Sequence, residues 1–331
     1  ARAIRPARTP MVRAAGTGDE SDSGAGAVDA ADVDDGGHRG ERGARTVERF
    51  VLESIRSAVG PLMHDHRVRV GRAVEAGPFR VGEIAYRGGL RQSTHAHADA
   101  TATLVIAGAC LERVGSREDL GTPLSVVVKP RGVEHANDWG PRDARTIQLR
   151  IRADYIESLA REGIEIGPWR WLHGAPVVRE FLAFRHLIRD ARGPSEEVVV
   201  DRVLDLLGAL GECAGSPAGV PPPSWLAHVK ESLDDRITDG VRVSRLAEEA
   251  GVHPVSLTRA FRRHFGVSVT EYRRRERLRR AARTVERCPA TLSRIAYRAG
   301  YADQSHFCRE FKDATGLTPG EFRRLARTLG G

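Results

Sequence analysis

Cysteine is scarce in this 331-residue chain, with four in all at positions 110, 213, 288 and 308. That spacing fits neither a disulfide framework nor a CxxC metal clip, so the four read as reduced thiols. Long apolar runs are missing too. No stretch approaches the roughly 18 uninterrupted apolar residues of a membrane span, and the N-terminus carries arginines without the apolar segment of a secretory leader. A cytoplasmic location with no membrane partner is therefore expected. Lysine is nearly absent, at positions 129, 230 and 312 only, against 49 arginines. With the abundant Ala and Gly, that bias suggests a GC-rich genome and says nothing of function.

What is present is a charge asymmetry. Ser224 to Gly331 holds 22 of the 52 basic residues and 13 of the 44 acidic ones, a net +9, which leaves −1 for the rest. A basic C-terminal third on a near-neutral body suits a polyanion, and nucleic acid is the usual one; a merely solvated basic surface is the other reading. At 40% hydrophobic residues the length suffices for two domain cores.

Texture divides the chain further. Residues 1–44 hold almost no large apolar side chain, so they are expected to form a disordered tail. The stretch 45–151 contains short runs such as Phe79–Tyr86, Thr103–Ile106, Leu124–Val128 and Thr146–Ile151, punctuated by Gly and Pro. These predict a β-barrel or sandwich. Helical spacing dominates 152–214, which is expected to support dimerisation, and prolines at 217 and 221–223 mark 215–223 as a linker. Everything in 224–331 reads as helical. The fold class is thus α+β and multidomain: a β-barrel followed by helices, then an all-α domain.

That last domain contains one pattern twice. Leu246-Ala247 … Gly251 … Leu257 … Phe261 … Gly266 … Tyr272 is repeated as Ile295-Ala296 … Gly300 … Phe307 … Phe311 … Gly316 … Phe322, at an offset of 49 residues and then of 50. Each element has a mechanical reason. The alanines let two helices cross closely, and Gly251 and Gly300 permit the left-handed residue that ends the first helix. Pro254 suits a first helical position and Asp303 an N-cap. Leu257/Phe261 and Phe307/Phe311, at i and i+4, hold the second helix of each unit to the core. The polar outer face of that second helix is what enters a major groove in a helix-turn-helix. Between the units, Leu278, Ala281, Ala282 and Val285 predict a connecting helix to about Arg287, with an Arg-rich outer face. Arg273, Arg274, Arg275 and Arg280 there read as solvated or phosphate-facing.

Residues 225–328 resemble the DNA-binding domain of the AraC/XylS family of transcription regulators, which carries two helix-turn-helix units joined by one long helix. His253 departs from the family pattern, where Ser is the usual N-cap. Helical geometry turns Val255, Ser256, Thr258, Arg259 and Arg262 outward in the first unit, and Gln304, Ser305, His306 and Arg309 in the second. The resemblance implies base contacts by all of these except Ser256 and Arg262. Arg can hold guanine bidentately, Gln can hold adenine, and Val or Thr can touch a thymine methyl.

In the β-rich part, Gly89-x5-His95-x-His97 followed by Pro130-x-Gly132-x2-His135 resembles the two motifs of a cupin barrel. In metal-binding cupins a Glu joins three histidines, but that position falls near Thr101 here, and Asp99 is out of register. The reading assigns no cofactor. It keeps His95, His97 and His135 as effector-pocket residues, with a three-imidazole metal site as the alternative. The expected function is sequence-specific regulation of transcription rather than catalysis. The partners expected are double-stranded DNA, an effector or partner at the barrel, a second copy of the chain, and RNA polymerase if the chain activates. The alternative is a cupin-type metal enzyme with a DNA-binding appendage.

Overall fold

The computed structural model describes residues 66–174, 176–190, 193–213 and 222–328. The expected tail 1–44 and most of the linker 215–223 lie outside these residues. Among the described residues nine strands come first and a tenth follows after one helix: β1 (Val68–Ala76), β2 (Phe79–Tyr86), β3 (Arg91–His95), β4 (Ala100–Ala107), β5 (Cys110–Val114), β6 (Arg117–Gly121), β7 (Ser125–Lys129), β8 (His135–Trp139), β9 (Ala144–Ile151) and β10 (Arg170–His173). They form two antiparallel sheets, in the orders β1-β2-β9-β4-β7-β10 and β3-β8-β5-β6. Among the described residues the two sheets share no ladder, so the expected barrel is two sheets without hydrogen-bonded closure.

Strands β4 and β7 are buried at every residue, which explains their uninterrupted apolar texture. Their two faces differ in chemistry. Thr103, Val105, Val127 and Lys129 turn into the space between the sheets, whose lining mixes polar and apolar side chains. Leu104, Ile106, Val126 and Val128 turn outward and are also fully shielded, in an apolar cluster with the helices. Each such side chain contributes about 1.5–3 kcal/mol by leaving water. The main core therefore lies against the outer face of the larger sheet.

Three helices cover that face or adjoin it: α1 (Ala153–Arg161), α2 (Val177–Arg189) and α3 (Glu196–Glu212). Phe181, Phe184 and Ile188 of α2 and Val199, Val203 and Leu206 of α3 supply the apolar stripe. The segment expected to be helical also contains β10, which pairs with β7 from Arg170↔Val128 to His173↔Ser125 and extends the larger sheet. Four residues are too few to show a strand period in the sequence.

The C-terminal domain comprises α4 (Ser224–Asp235), α5 (Val243–Glu249), α6 (Pro254–Phe265), α7 (Val269–Arg287), α8 (Leu292–Arg298), α9 (Gln304–Thr315) and α10 (Pro319–Thr328). Helices α5–α6 and α8–α9 are the two repeated units, and α7 joins them. At 19 residues, α7 is about 28 Å long. Gly300 sits at φ 76°, and a Cβ there would lie 3.1 Å from the Thr238 carbonyl oxygen, so both conformation and space demand glycine.

The two units are anchored differently. Leu246, Ala247, Leu257 and Phe261 form a separate core with Leu226, Val229 and Leu233 of α4. Phe307, Phe311, Phe322 and Leu325 instead belong to the cluster that runs through α2 and α3 to the larger sheet. The Arg145 guanidinium of β9 donates to the Ala326 carbonyl across that contact. Helix α7 has one end in each core, with Val269 in the smaller and Leu278, Ala281, Ala282 and Val285 in the larger.

Candidate nucleic-acid interface and histidine pocket

Helix α6 begins at His253, whose Nδ1 accepts from the Val255 amide at 3.3 Å; the histidine that departs from the family pattern caps its helix all the same. Helix α9 begins at Asp303, whose Oδ1 accepts from the His306 amide at 2.7 Å. Burying Leu257 and Phe261 on one side of α6, and Phe307 and Phe311 on one side of α9, leaves the opposite faces to solvent. Val255, Ser256, Thr258, Arg259 and Arg262 are all exposed, as are Gln304, Ser305, His306 and Arg309. Val255 is 50% exposed although it is apolar. The side chains of Arg259, Arg262 and Arg309 make no hydrogen bond or ion pair among the described residues. Thr258 returns its hydroxyl to the Pro254 carbonyl, 2.9 Å away.

His306 is tied more closely. Its ring meets Tyr301 edge-on, with centroids 5.4 Å apart, and its Nε2 lies 3.6 Å from a carboxylate oxygen of Glu310. Glu310 is nearly buried, and it also accepts from the Tyr301 hydroxyl at 3.0 Å and from Arg277 at 3.3 Å. Arg277 in turn stacks over the Tyr301 ring at 4.1 Å. This network fixes α9 against α7 and orients His306. The sequence carried a signal for it: a glutamate on the apolar stripe between Phe307 and Phe311.

The arginines of α7 expected to be solvated or phosphate-facing each also have a partner within the chain. Arg275 bonds Glu271 at 2.7 Å, Arg280 bonds the buried Glu276 at 3.0 Å, Arg274 lies 3.6 Å from Glu310, and Arg273 donates to the Val241 carbonyl. Arg279 clamps Glu276 and also donates to the Thr122 hydroxyl of the β-domain at 2.7 Å. These cations are engaged within the chain. On α6 and α9, by contrast, Arg259, Arg262 and Arg309 have no such partner among the described residues.

Between the sheets, His95 and His135 are paired across β3 and β8, and His97 follows β3 directly. The structure brings all three together, with ring centroids 4.3–5.0 Å apart and one ligand atom of each within 4.8 Å of the others. Backbone carbonyls fix two of the rings. His95 Nδ1 is 2.7 Å from the Ser93 oxygen and His135 Nδ1 is 2.9 Å from the Val133 oxygen, which leaves each Nε2 to face the pocket.

A metal needs the His135 Nε2 lone pair, and Lys129 takes it: Nζ lies 3.2 Å away and donates on its other side to Glu112 Oε1 at 2.7 Å. Burial, reinforced by the Lys129 charge, depresses the His135 pKa to about 2, so this ring is neutral at any ordinary pH. Thr101 stands where a fourth, carboxylate ligand is wanted, and Asp99 is engaged with Arg150 and the Ala153 amide. The residues present do not fit a metal ion, because an ammonium already neutralises the carboxylate that lines this pocket and caps one imidazole. Neither Lys129 nor Glu112 was singled out from the sequence, where each looks like a solvated charge. The remaining space is small, about 50 Å³. That holds one or two waters or a small ion.

A family model described as a helix-turn-helix domain matches residues 246–325. The HTH-type transcriptional regulator GlxA of Rhizobium meliloti is 36% identical over 106 residues, 32% of this chain and 32% of GlxA. The arabinose operon regulatory protein of Escherichia coli is 25% identical over 130 residues, 39% of this chain and 44% of that protein. The probable transcription factor PqrA of Proteus vulgaris is 31% identical over 85 residues, 26% of this chain and 70% of PqrA. The chain thus spans about a third to a half of the length of the first relatives it matches.

Proposed function

Because the chain belongs to the AraC/XylS family of transcription regulators, we propose that it binds double-stranded DNA through α6 and α9 and regulates transcription from the bound site. Each helix presents its outward side chains to one major groove, and α7 sets the two about one helical turn of DNA apart. Arg259, Arg262 and Arg309 carry the reading. They are exposed cations without a partner among the described residues, on a domain whose other arginines are largely engaged within the chain. Val255, Ser256, Thr258, Gln304, Ser305 and His306 are the remaining contacts proposed.

The β-domain is the sensing part, joined to the second unit through a shared core. Its histidine pocket offers His95 and His97 to an occupant of water or small-ion size, with His135 held beside them by Lys129. The metal-enzyme alternative is disfavoured by the seat of Lys129 on His135.

Selection of bound sequences from random duplex DNA with the full chain tests the reading. The expected product is a two-part site with half-sites 10–10.5 bp apart, bound with an affinity that falls steeply as salt rises. A folded chain that binds no DNA at low salt refutes it.

A further inference from the structure

A cleft of about 870 Å³ lies where the β-domain faces the first reading unit. Its walls come from β6 and β10 on one side, the end of α3 beneath, and α4, α7 and the α6–α7 turn on the other. Such a volume is of the size that small organic ligands occupy, whereas the histidine pocket is far below it.

The lining combines an apolar surface with more positive charge than negative. Trp169, Trp171, Leu172, Phe265 and Val267 supply the apolar part. Six Arg and Lys side chains face four Asp and Glu. The acids are largely spoken for: Glu276 by Arg279 and Arg280, Asp234 by Lys230 and the Tyr272 hydroxyl, Asp119 by His173. Three arginines are left without a carboxylate. Arg170 is half-buried and its amino groups reach only the carbonyls of Ile166, Pro168 and Leu210. Its Nε and the nearby Trp171 Nε1 are buried donors with no partner among the described residues. Arg283 is half-buried and Arg117 exposed, and neither side chain has a partner among the described residues. Burial and the neighbouring Arg287 and Arg279 hold the Arg283 guanidinium below the usual arginine range. Half-buried cations left without a carboxylate call for an anion.

We infer that this cleft is the effector site and takes an organic carboxylate with a flat apolar body. The inference rests on the reading of the chain as a DNA-binding regulator and adds where its signal enters. The first reading unit shares no apolar cluster with the β-domain, while the second does. A ligand in the cleft therefore bridges the one unit that the core leaves unattached. It also lies beside Tyr272, Arg275 and Arg279, where α7 passes from the smaller core to the larger. Ligand binding changes how firmly the two reading helices are held at a common spacing.

The chain carries its own reporter. Cys213 lines the cleft, whereas Cys288 and Cys308 do not. The full chain is alkylated in the presence of 2-naphthoate, of uncharged 2-naphthalenemethanol, or of inorganic phosphate, and modification is read at each cysteine by mass spectrometry. Naphthoate is expected to slow Cys213 severalfold, with Cys288 and Cys308 unchanged and both controls weaker. Arg283→Gln should raise the naphthoate concentration needed about tenfold, as for losing one charge-assisted contact. Arg117→Gln, at an exposed position where folding is not at stake, should raise it as well. Equal protection by the alcohol or by phosphate, equal protection of all three cysteines, or no effect of either arginine variant overturns the inference. DNA binding is measured on the same samples. A folded chain that fails to bind DNA overturns the regulator reading, while DNA binding with Cys213 unprotected by naphthoate overturns only the cleft.

Discussion

Arg309→Ala is the substitution that most directly separates base reading from general attraction. Arg309 is exposed near the middle of α9 and its side chain makes no contact that holds the fold among the described residues, so stability should change by no more than about 0.5 kcal/mol. A bidentate contact to one guanine is worth about 1–3 kcal/mol of discrimination, or roughly 5- to 150-fold in affinity. The loss should fall on one position of the selected site, so that the variant binds all four bases there about equally. Arg280→Ala is the matched control: its partner is Glu276 within the same helix, and base preference should stay intact. Fluorescence anisotropy on a set of single-base site variants, at two salt concentrations, reads both effects. Uniform weakening of every site by Arg309→Ala, with the base profile unchanged, would refute the division between reading and internally paired arginines.

His135 gives stability an acid slope of its own. With a folded pKa of about 2 against about 6.5 in the unfolded chain, only the unfolded form takes up the proton as pH falls below 6.5. About 1.4 kcal/mol is lost per pH unit, roughly 2 kcal/mol by pH 5, above the range where the depressed carboxylates Asp119 and Glu276 act. Urea denaturation of His135→Gln should lack that slope, and an unchanged slope would show that the ring is not the group responsible. Lys129→Met leaves Glu112, 1% exposed, without its counter-ion and should cost about 3–5 kcal/mol by the same assay. Adding Glu112→Gln should recover most of that, since the amide oxygen still accepts from the Trp169 indole; no recovery would mean the pair is not held as ions. The fragment 223–331 should bind DNA yet show stronger anilinonaphthalene sulfonate fluorescence and a lower Tm than the full chain, because its second unit loses the apolar cover of α2 and the sheet. A Tm equal to that of the full chain would contradict the shared core.

Legibility in the sequence followed the range of the interactions involved. Left-handed glycines, Leu/Phe pairs four residues apart and an Asp cap are local devices, and all of them stand where the repeat put them. The strands of the larger sheet showed because β4 and β7 are covered on both faces and so read as unbroken apolar runs. The short β10 escaped, since its only cause is pairing with a strand more than 40 residues away. The three histidines were brought together as their spacing implied, but the ammonium against them was not foreseen, because only the folded ladders place Lys129, Glu112 and His135 in one interior. The internal pairing of α7 was within reach. Glu271 and Glu276 precede Arg275 and Arg280 by four residues, in the order that favours helical ion pairs, so both pairs could have been read from the sequence.

The unequal anchoring of the two units has a cause that no motif records. Both copies carry the same small-residue crossing, the same glycine turn and the same aromatic second helix, so pattern alone predicts two equivalent reading heads. What differs is the helix that comes next. After α6 the chain must continue as α7, whose first turns give Val269 and Tyr272 to the first core before its apolar stripe turns to the other. After α9 the chain continues as the short α10, which lays Phe322, Leu325 and Ala326 into the cluster shared with α2, α3 and the sheet. Order along the chain, rather than composition of the repeat, therefore decides which head the sensing domain grips by its core and which it meets across the cleft.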